Sequence, residues 1–321
     1  MTDFPRLQYL IGLAFVLIVI ALARSANTRL RVTLAVIAVA ALGYNTMKLL
    51  PYLPESDRAD SEQACNGARS FSVMVANVKM GNRSAEVLIE LVRSRSPDLF
   101  LALETDEWGD AELATLDREM PHKVQRITGG YFGMHLFSRL VLSETKTIFP
   151  VEQDAPAILT KVALRSGQEV FFVGLHPRPP HPGQSSIGRD AQLLWAAFQA
   201  RDAKAPALIA GDLNAVPWEQ TVERMQRVGG LIDPRERHGY QATYDAQSWW
   251  MSWPLDHLLH QEGLTVSSFD VLPGVGSDHH PIEVTLCHGP SGVPAPQIQD
   301  GDVERAERDI DLALRSAGER Q

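Results

Sequence analysis

"ALIAGDLN" (Ala207–Asn214) runs apolar and small residues straight into an aspartate and an asparagine. A short apolar run of this length reads as a buried strand. The run ends on Asp212 and Asn214, polar groups placed where the apolar pattern stops. The bland reading is a cap for a helix starting near Pro217. A functional reading needs partners elsewhere in the chain.

The same arrangement recurs. "VMVAN" stops on Asn77, "LFLALE" on Glu104 and "FFVGLH" on His176. "SWPLDHLL" carries Asp256 at a strand start, and "GSDHHPIEV" (Gly276–Val284) carries Asp278 and His279 ahead of the last strand. Taken singly, each has a structural reading: a solvated strand end, a turn cap or a buried acid paired with an arginine. Together they are residues that end or open strands, and such residues meet at one edge when the strands pack side by side. An oxygen-rich set of Asp, Glu and Asn suits a hard cation such as magnesium or manganese. A histidine held by a carboxylate suits proton transfer or the stabilisation of developing charge.

Between these points the chain alternates strand and helix patterns. "FSVMVANV" and "DLFLALE" read as strands, with the helix "SAEVLIELVRSRS" between them, ended by Pro97. "YFGMHLFSRL" and "LVLSETKTIF" read as two strands around a turn, and "ILTKVALRS" and "QEVFFVGLH" as a hairpin around Ser166-Gly167. "GRDAQLLWAAFQARDA" and "PWEQTVERMQRV" read as helices, the second with proline in its first turn. "PLDHLLH", "LTVSSFDVL" and "HHPIEVTLC" supply the last strands. Alternating and continuous apolar strands mixed with helices predict an α/β layered sandwich of two packed sheets.

The chain has 321 residues, 45% of them apolar, and a formal net charge of -9. That balance excludes a stable nucleic-acid coat, which needs a basic surface. It does not exclude an enzyme that brings metal ions to phosphates. The first 53 residues differ from the rest. "LQYLIGLAFVLIVIALA" (Leu7–Ala23) and "VTLAVIAVAALGYNTM" (Val32–Met47) are uncharged apolar runs near the lower limit for crossing a bilayer, roughly 17–25 residues. Arg24, Arg29 and Arg31 lie between or at the start of these runs, and basic residues stay on the cytoplasmic side. The expectation is a transmembrane hairpin over 1–53 in an inner (plasma) membrane, multi-pass, with the catalytic domain outside the cytoplasm. A leader cleaved at Ala21–Ala23 and a pair of buried soluble helices are the alternatives. A linker over 54–69, a catalytic domain over 70–288 and a polar tail over 289–321 complete the expected organisation.

In their order, "ANVKMGN", "ALETDEW", "GLHPRPP", "AGDLNAVP", "PLDHLL" and "GSDHHPIEV" resemble the endonuclease/exonuclease/phosphatase superfamily, which includes deoxyribonuclease-like enzymes. The resemblance covers about Phe71 to Cys287, with "GDLN" and "SDHHP" its most specific parts. It implies a four-layer α/β/β/α sandwich with two packed mixed sheets and a site at one edge. It also implies divalent-metal-dependent hydrolysis of a phosphoester, with Mg2+ or Mn2+ as cofactor. Carried over, Glu104 and Asn77 resemble the metal ligands, and Asp278 would face the metal or a second ion. Asp212 resembles the acid that orients the attacking water, and Asn214 a phosphate contact. His279 resembles the essential histidine, polarised by Asp256, and His176 a contact near the leaving group. One departure stands out: "GGYFGMHLFSR" offers no glutamate to support His176.

The expected substrate is a phosphodiester, nucleic acid ahead of a lipid headgroup; no stretch identifies a protein partner. A non-enzymatic module that kept the fold is the remaining alternative, and the complete set of acids and histidines speaks against it. Trp249, Trp250 and Trp253 in "SWWMSWP" have two readings, packing beneath the site or lining of the substrate cleft. Asn77 ends the first strand and His279 opens the last. If those strands are antiparallel neighbours, Cys287 lies across from about Ser70, within reach of a bond with Cys65 in an oxidising compartment.

Overall fold

The computed structural model describes residues 3–23, 27–53, 67–180 and 183–318. The helices are α1 (Arg6–Leu22), α2 (Thr28–Leu49), α3 (Ala85–Arg95), α4 (Glu107–Leu113), α5 (Ile187–Arg201), α6 (Gln220–Gly229), α7 (Arg235–His238) and α8 (Asp302–Gly318). The strands are β1 (Ser70–Asn77), β2 (Leu99–Leu103), β3 (His122–Arg126), β4 (Met134–Ser138), β5 (Val141–Ile148), β6 (Ala157–Ala163), β7 (Glu169–Leu175), β8 (Ala207–Asp212), β9 (Leu231–Ile232), β10 (Asp256–Gln261), β11 (Leu264–Val271) and β12 (Ile282–His288).

They form two mixed six-stranded sheets, β11-β12-β1-β2-β4-β3 and β5-β6-β7-β8-β10-β9. Each sheet has one parallel pair at its centre, β1 with β2 and β7 with β8; the other pairs are antiparallel. The sheets pack face to face through residues such as Val73, Val75, Leu101, Leu136, Ile158, Phe172, Leu208 and Ile282. The outer face of the first sheet is covered by α3 and α4 through Leu88, Val92 and Leu113. That of the second is covered by α5, α6 and α8 through Leu193, Ala197, Met225 and Ala306. This is the layered sandwich of two packed sheets that the strand and helix pattern predicts, with the four layers that the family resemblance implies.

Several expectations need adjusting. The two strands around Arg139-Leu140 do not pair with each other: β4 belongs to one sheet and β5 to the other, so the turn between them joins the two layers. The helix expected from Pro217 starts at Gln220. Glu219 stays extended because its carboxylate accepts hydrogen bonds from Val216 N and from Arg189. The polar tail contains α8, whose charges are not all solvated. Asp302 is 2% exposed and accepts from Arg227 Nε and Nη2 at 2.6 and 3.0 Å.

Among the described residues one helical segment, Thr28–Tyr52 with 25 residues, is long and apolar enough to cross a membrane. Helix α1 is apolar but has 17 residues, about 26 Å at 1.5 Å per residue and short of a ~30 Å hydrocarbon core. A two-span hairpin is therefore not established. Both helices pack on each other and leave many apolar side chains exposed, among them Ile11, Phe15, Ile18, Val36, Ile37 and Val39. That exposure does not fit a pair of helices buried in a soluble core. The ends nearest the sandwich are tied to it. Leu49 and Tyr52 are buried against Val216, Trp218 and Leu255, and the Trp218 indole N–H donates to Asp3 O at 2.6 Å. Arg24 lies outside the described residues, as does Cys65. Ser70 stands opposite Cys287 in the β1–β12 ladder, the register counted from the sequence, and Cys287 is disulfide-bonded.

The hydrogen bond from Arg227 holds the Asp302 carboxyl at about 2, against the upward push of burial. A depressed carboxylate pKa adds stability above the ordinary 3.8 that is lost as pH falls through about 2. Asp302→Asn should weaken the docking of α8 by roughly 1.5–3 kcal/mol, the range for hydrogen bonds to charged groups. Amide hydrogen exchange over Asp302–Gly318 should accelerate, and unchanged protection would show that the pair does not hold the helix.

Candidate active site

The parallel pairs and their antiparallel neighbours deliver polar residues to one edge. β1, β2, β7 and β8 all end there, and β10 and β12 both begin there. Asn77, Glu104, His176 and Asp212 thus arrive from strand ends, Asp256 and His279 from strand starts.

Asp212 is at the centre. It is 1% exposed and faces Asp256, also 1% exposed, as its direct partner in the β8–β10 ladder. Like charges opposite each other destabilise a sheet, and two buried carboxylates need compensation. His279 supplies it. Its Nδ1 lies 2.8 Å from Asp256 Oδ2 and its Nε2 3.6 Å from Asp212 Oδ2. Burial pushes the His279 pKa down, but Asp256 and Asp212 outweigh it and raise the imidazole to about 10. His279 is therefore a cation at neutral pH. A raised histidine pKa contributes stability below the ordinary 6.5 that is lost as pH rises through about 10. Burial raises Asp212 against the lowering pull of His279.

Asn77 joins the two sheets at this point. Its amide donates to Glu104 Oε1 at 2.8 Å and to Asp212 Oδ2 at 3.1 Å, while its Oδ1 accepts from Lys79 N at 3.0 Å. Glu104 Oε2 accepts from Met80 N at 3.1 Å. Glu104 and Asn214 are non-glycine residues at positive φ, 59° and 49°. Such strain gathers at functional sites, and here each lies within two residues of a strand end. Gly211 has φ 147°, and a Cβ there would sit 1.8 Å from Leu175 O, so only glycine lets β8 approach β7 just before Asp212.

His176 is buried, with Nε2 3.7 Å from Asp212 and 3.8 Å from Glu104. In place of a supporting glutamate, Phe132 from the "GGYFGMHLFSR" stretch packs its ring 5.5 Å from the imidazole, and His176 Nδ1 is buried without a hydrogen-bond partner. Burial lowers its pKa, partly opposed by Asp212, so it is neutral at pH 7. The Asn214 amide donates to Pro177 O at 3.0 Å, and the Asn214 carbonyl accepts from buried Arg189 at 2.7 Å. This locks the turn after β8 to the turn after β7.

Asp278 precedes His279 and acts on its imidazole through its charge. It is half-buried and pairs with Lys79 Nζ at 3.2 Å. His280 turns away, its Nδ1 3.1 Å from Leu272 O. Trp249 and Trp250 are 94% and 58% exposed, which overturns packing beneath the site for these two, whereas Trp253 packs between Phe4 and Tyr244. The sequence reading missed Lys79, Thr243 and Tyr244. The Tyr244 ring lies 4.8 Å from that of His279, and Thr243 is fully buried with its hydroxyl accepting from Asp256 N at 3.2 Å. Lys79 lies in the turn after β1, inside the quoted "ANVKMGN", while Thr243 and Tyr244 come from an irregular segment before β10 without periodicity.

Asp212, Asp256 and His279 offer ligand atoms within 4.8 Å of one another. With both ring nitrogens protonated, the charged His279 imidazole has no lone pair to offer a cation, so in the metal-free chain this trio is an ion-paired unit. Glu104 and the Asn77 amide oxygen present the hard oxygen donors that magnesium and manganese prefer. One asparagine amide now bridges two carboxylates there, a place for positive charge.

The sequence matches the family model described as Endonuclease/Exonuclease/phosphatase family over residues 74–279. The chain belongs to this family. Its members hydrolyse phosphoester bonds, and they are typically dependent on divalent metal. No curated protein matches the chain. Among solved structures, TDP2 of D. rerio complexed with a single-strand DNA product is similar with 19% identity, TM-score 0.59, 68% of this chain and 98% of that chain covered. The human Nocturnin catalytic domain with bound sulfate has 18% identity, TM-score 0.53 and 69% and 95% coverage. A mannosyl-6-phosphatase of Bacteroides thetaiotaomicron has 19% identity, TM-score 0.55 and 67% and 99% coverage. At these identities the likeness shows the fold.

Histidine NMR on the metal-free full chain tests the ion-paired trio. His279 should remain an imidazolium through neutral pH, and Asp256→Asn should bring its titration down towards 6.5. A neutral His279 at pH 7 in the unsubstituted protein would contradict the geometry.

Proposed function

We propose that this protein is a divalent-metal-dependent phosphodiesterase of nuclease type, held at a membrane by its N-terminal helices. The observation that carries the reading is the meeting of Asn77 and Glu104 from one sheet with His176, Asp212 and Asp256 from the other, closed by His279. Glu104 and Asn77 would hold magnesium or manganese, which supplies Lewis-acid stabilisation of charge on phosphoryl oxygens. The chain's own groups do the rest. Asp212 orients the attacking water and, with its pKa raised by burial, accepts a proton readily. The His279 cation, fixed by Asp256, stabilises charge gathering on the phosphoryl group. His176 and Asn214 line the same edge as phosphate contacts.

Nucleic acid is the favoured substrate, supported by the similarity to TDP2 complexed with single-strand DNA. A lipid headgroup phosphoester is the second reading. It is favoured by Tyr244, which touches His279 and, through Trp253, reaches Phe4 beside the N-terminal helices. Arg29 and Arg31 lie at the end of α2 remote from the sandwich, which supports a catalytic domain outside the cytoplasm. A Cys65–Cys287 bridge fits that compartment.

Activity of the full chain in detergent against single- and double-stranded DNA, RNA, phosphoinositides and sphingomyelin tests the reading. Glu104→Gln, Asp212→Asn and His279→Ala should each lower turnover by at least ~10²-fold. Chelation should abolish activity, and magnesium or manganese should restore it. Near-normal hydrolysis by all three variants would overturn the assignment.

A further inference from the structure

Two adjacent tryptophans, Trp249 and Trp250, project from the sandwich with 94% and 58% of their surface exposed. A side chain this large and apolar is usually buried or in contact with a partner. Their position says which partner. The Gln8 side chain, in the first turn of α1, donates to Trp250 O. Phe4, just before α1, stacks 5.8 Å from Trp253. The pair therefore lies level with the sandwich-side end of the two apolar helices. At that level the polar contacts of Asp3, Arg6 and Asn45 give way to the exposed apolar flank of Leu7, Ile11, Tyr44 and Met47. In a bilayer this is the boundary between headgroups and hydrocarbon, where tryptophan is enriched because its ring is apolar and its N–H needs a partner.

We infer that the segment Tyr240–Trp253 is a membrane-interface anchor, with Trp249 and Trp250 seated in the headgroup layer of the bilayer that holds the N-terminal helices. The same segment is a wall of the active site. Tyr244 packs on His279, His280 N donates to Thr243 O at 2.9 Å, and Ala246 N donates to Asp278 O at 2.8 Å. The anchor thus holds the mouth of the site at the lipid surface. The membrane-spanning reading of α2 underlies this inference; the hydrolytic reading does not.

The test uses the full chain in phosphatidylcholine–phosphatidylglycerol vesicles. Bromines are placed on the acyl chains either near the headgroup or near the bilayer centre. Tryptophan emission should be quenched more by the shallow bromines. Trp249→Phe with Trp250→Phe should lose most of that shallow quenching, and Trp108→Phe, in α4 under the Arg83 guanidinium, should keep it. Both anchor positions are exposed, so these substitutions leave the core intact. Equal quenching of the double variant and the unsubstituted chain, with the chain still retained by the vesicles, would overturn the anchor alone. Extraction of the chain by alkaline carbonate would overturn the membrane reading and the anchor with it.

Discussion

Two buried carboxylates face each other across one strand pair, and a single imidazolium makes that arrangement stable. Asp212 and Asp256 are ladder partners with almost no exposure. Without His279 between them, one would have to take up a proton or the strands would have to part. The histidine comes from the other sheet, so the charge balance at this edge also fastens the two layers together. Asn77 repeats the device on the opposite side, bridging Glu104 of its own sheet and Asp212 of the other.

Strand direction does the positioning. In each sheet a central parallel pair sends two chain segments out of the core at the same edge, and an antiparallel neighbour sends one in. The reactive groups therefore sit on short extensions of rigid strands rather than on long loops. Left-handed backbone at Glu104 and Asn214 turns the chain sharply there. Buried Arg189 then secures the Asn214 turn from beneath, through its bonds to the Asn214 carbonyl and to Glu219.

Much of this was legible in the sequence because burial forbids unpaired charge. An apolar run that stops on Asn77, Glu104, His176 or Asp212 reveals a strand and the end of it that carries a polar group, but not that Asn77, His176 and Asp212 stay buried there among their partners. What stayed hidden lacked such contrast. β3 is a polar edge strand, "HKVQR", without an apolar pattern. The Thr243–Tyr244 segment is irregular, and its role depends on where the chain folds back over β10. The exposure of Trp249 and Trp250 runs against the usual fate of tryptophan. α8 lies in what reads as a polar tail, and its docking through Ala306 and the Asp302–Arg227 pair was hidden because such partners are distant in sequence. The crossing from β4 to β5 looked like a hairpin because a tight turn joins strands within a sheet and between sheets alike.

The central claim is a division of labour: Asp212, Asp256 and His279 form an ion-paired unit that handles charge and protons, and the metal belongs to Glu104 and Asn77. Anomalous diffraction from crystals of the full chain soaked in Mn2+ tests it most directly. The account predicts a manganese peak on the Glu104 carboxylate, with His279 still hydrogen-bonded to Asp256. A peak ligated by His279, seated between Asp212 and Asp256, would contradict it.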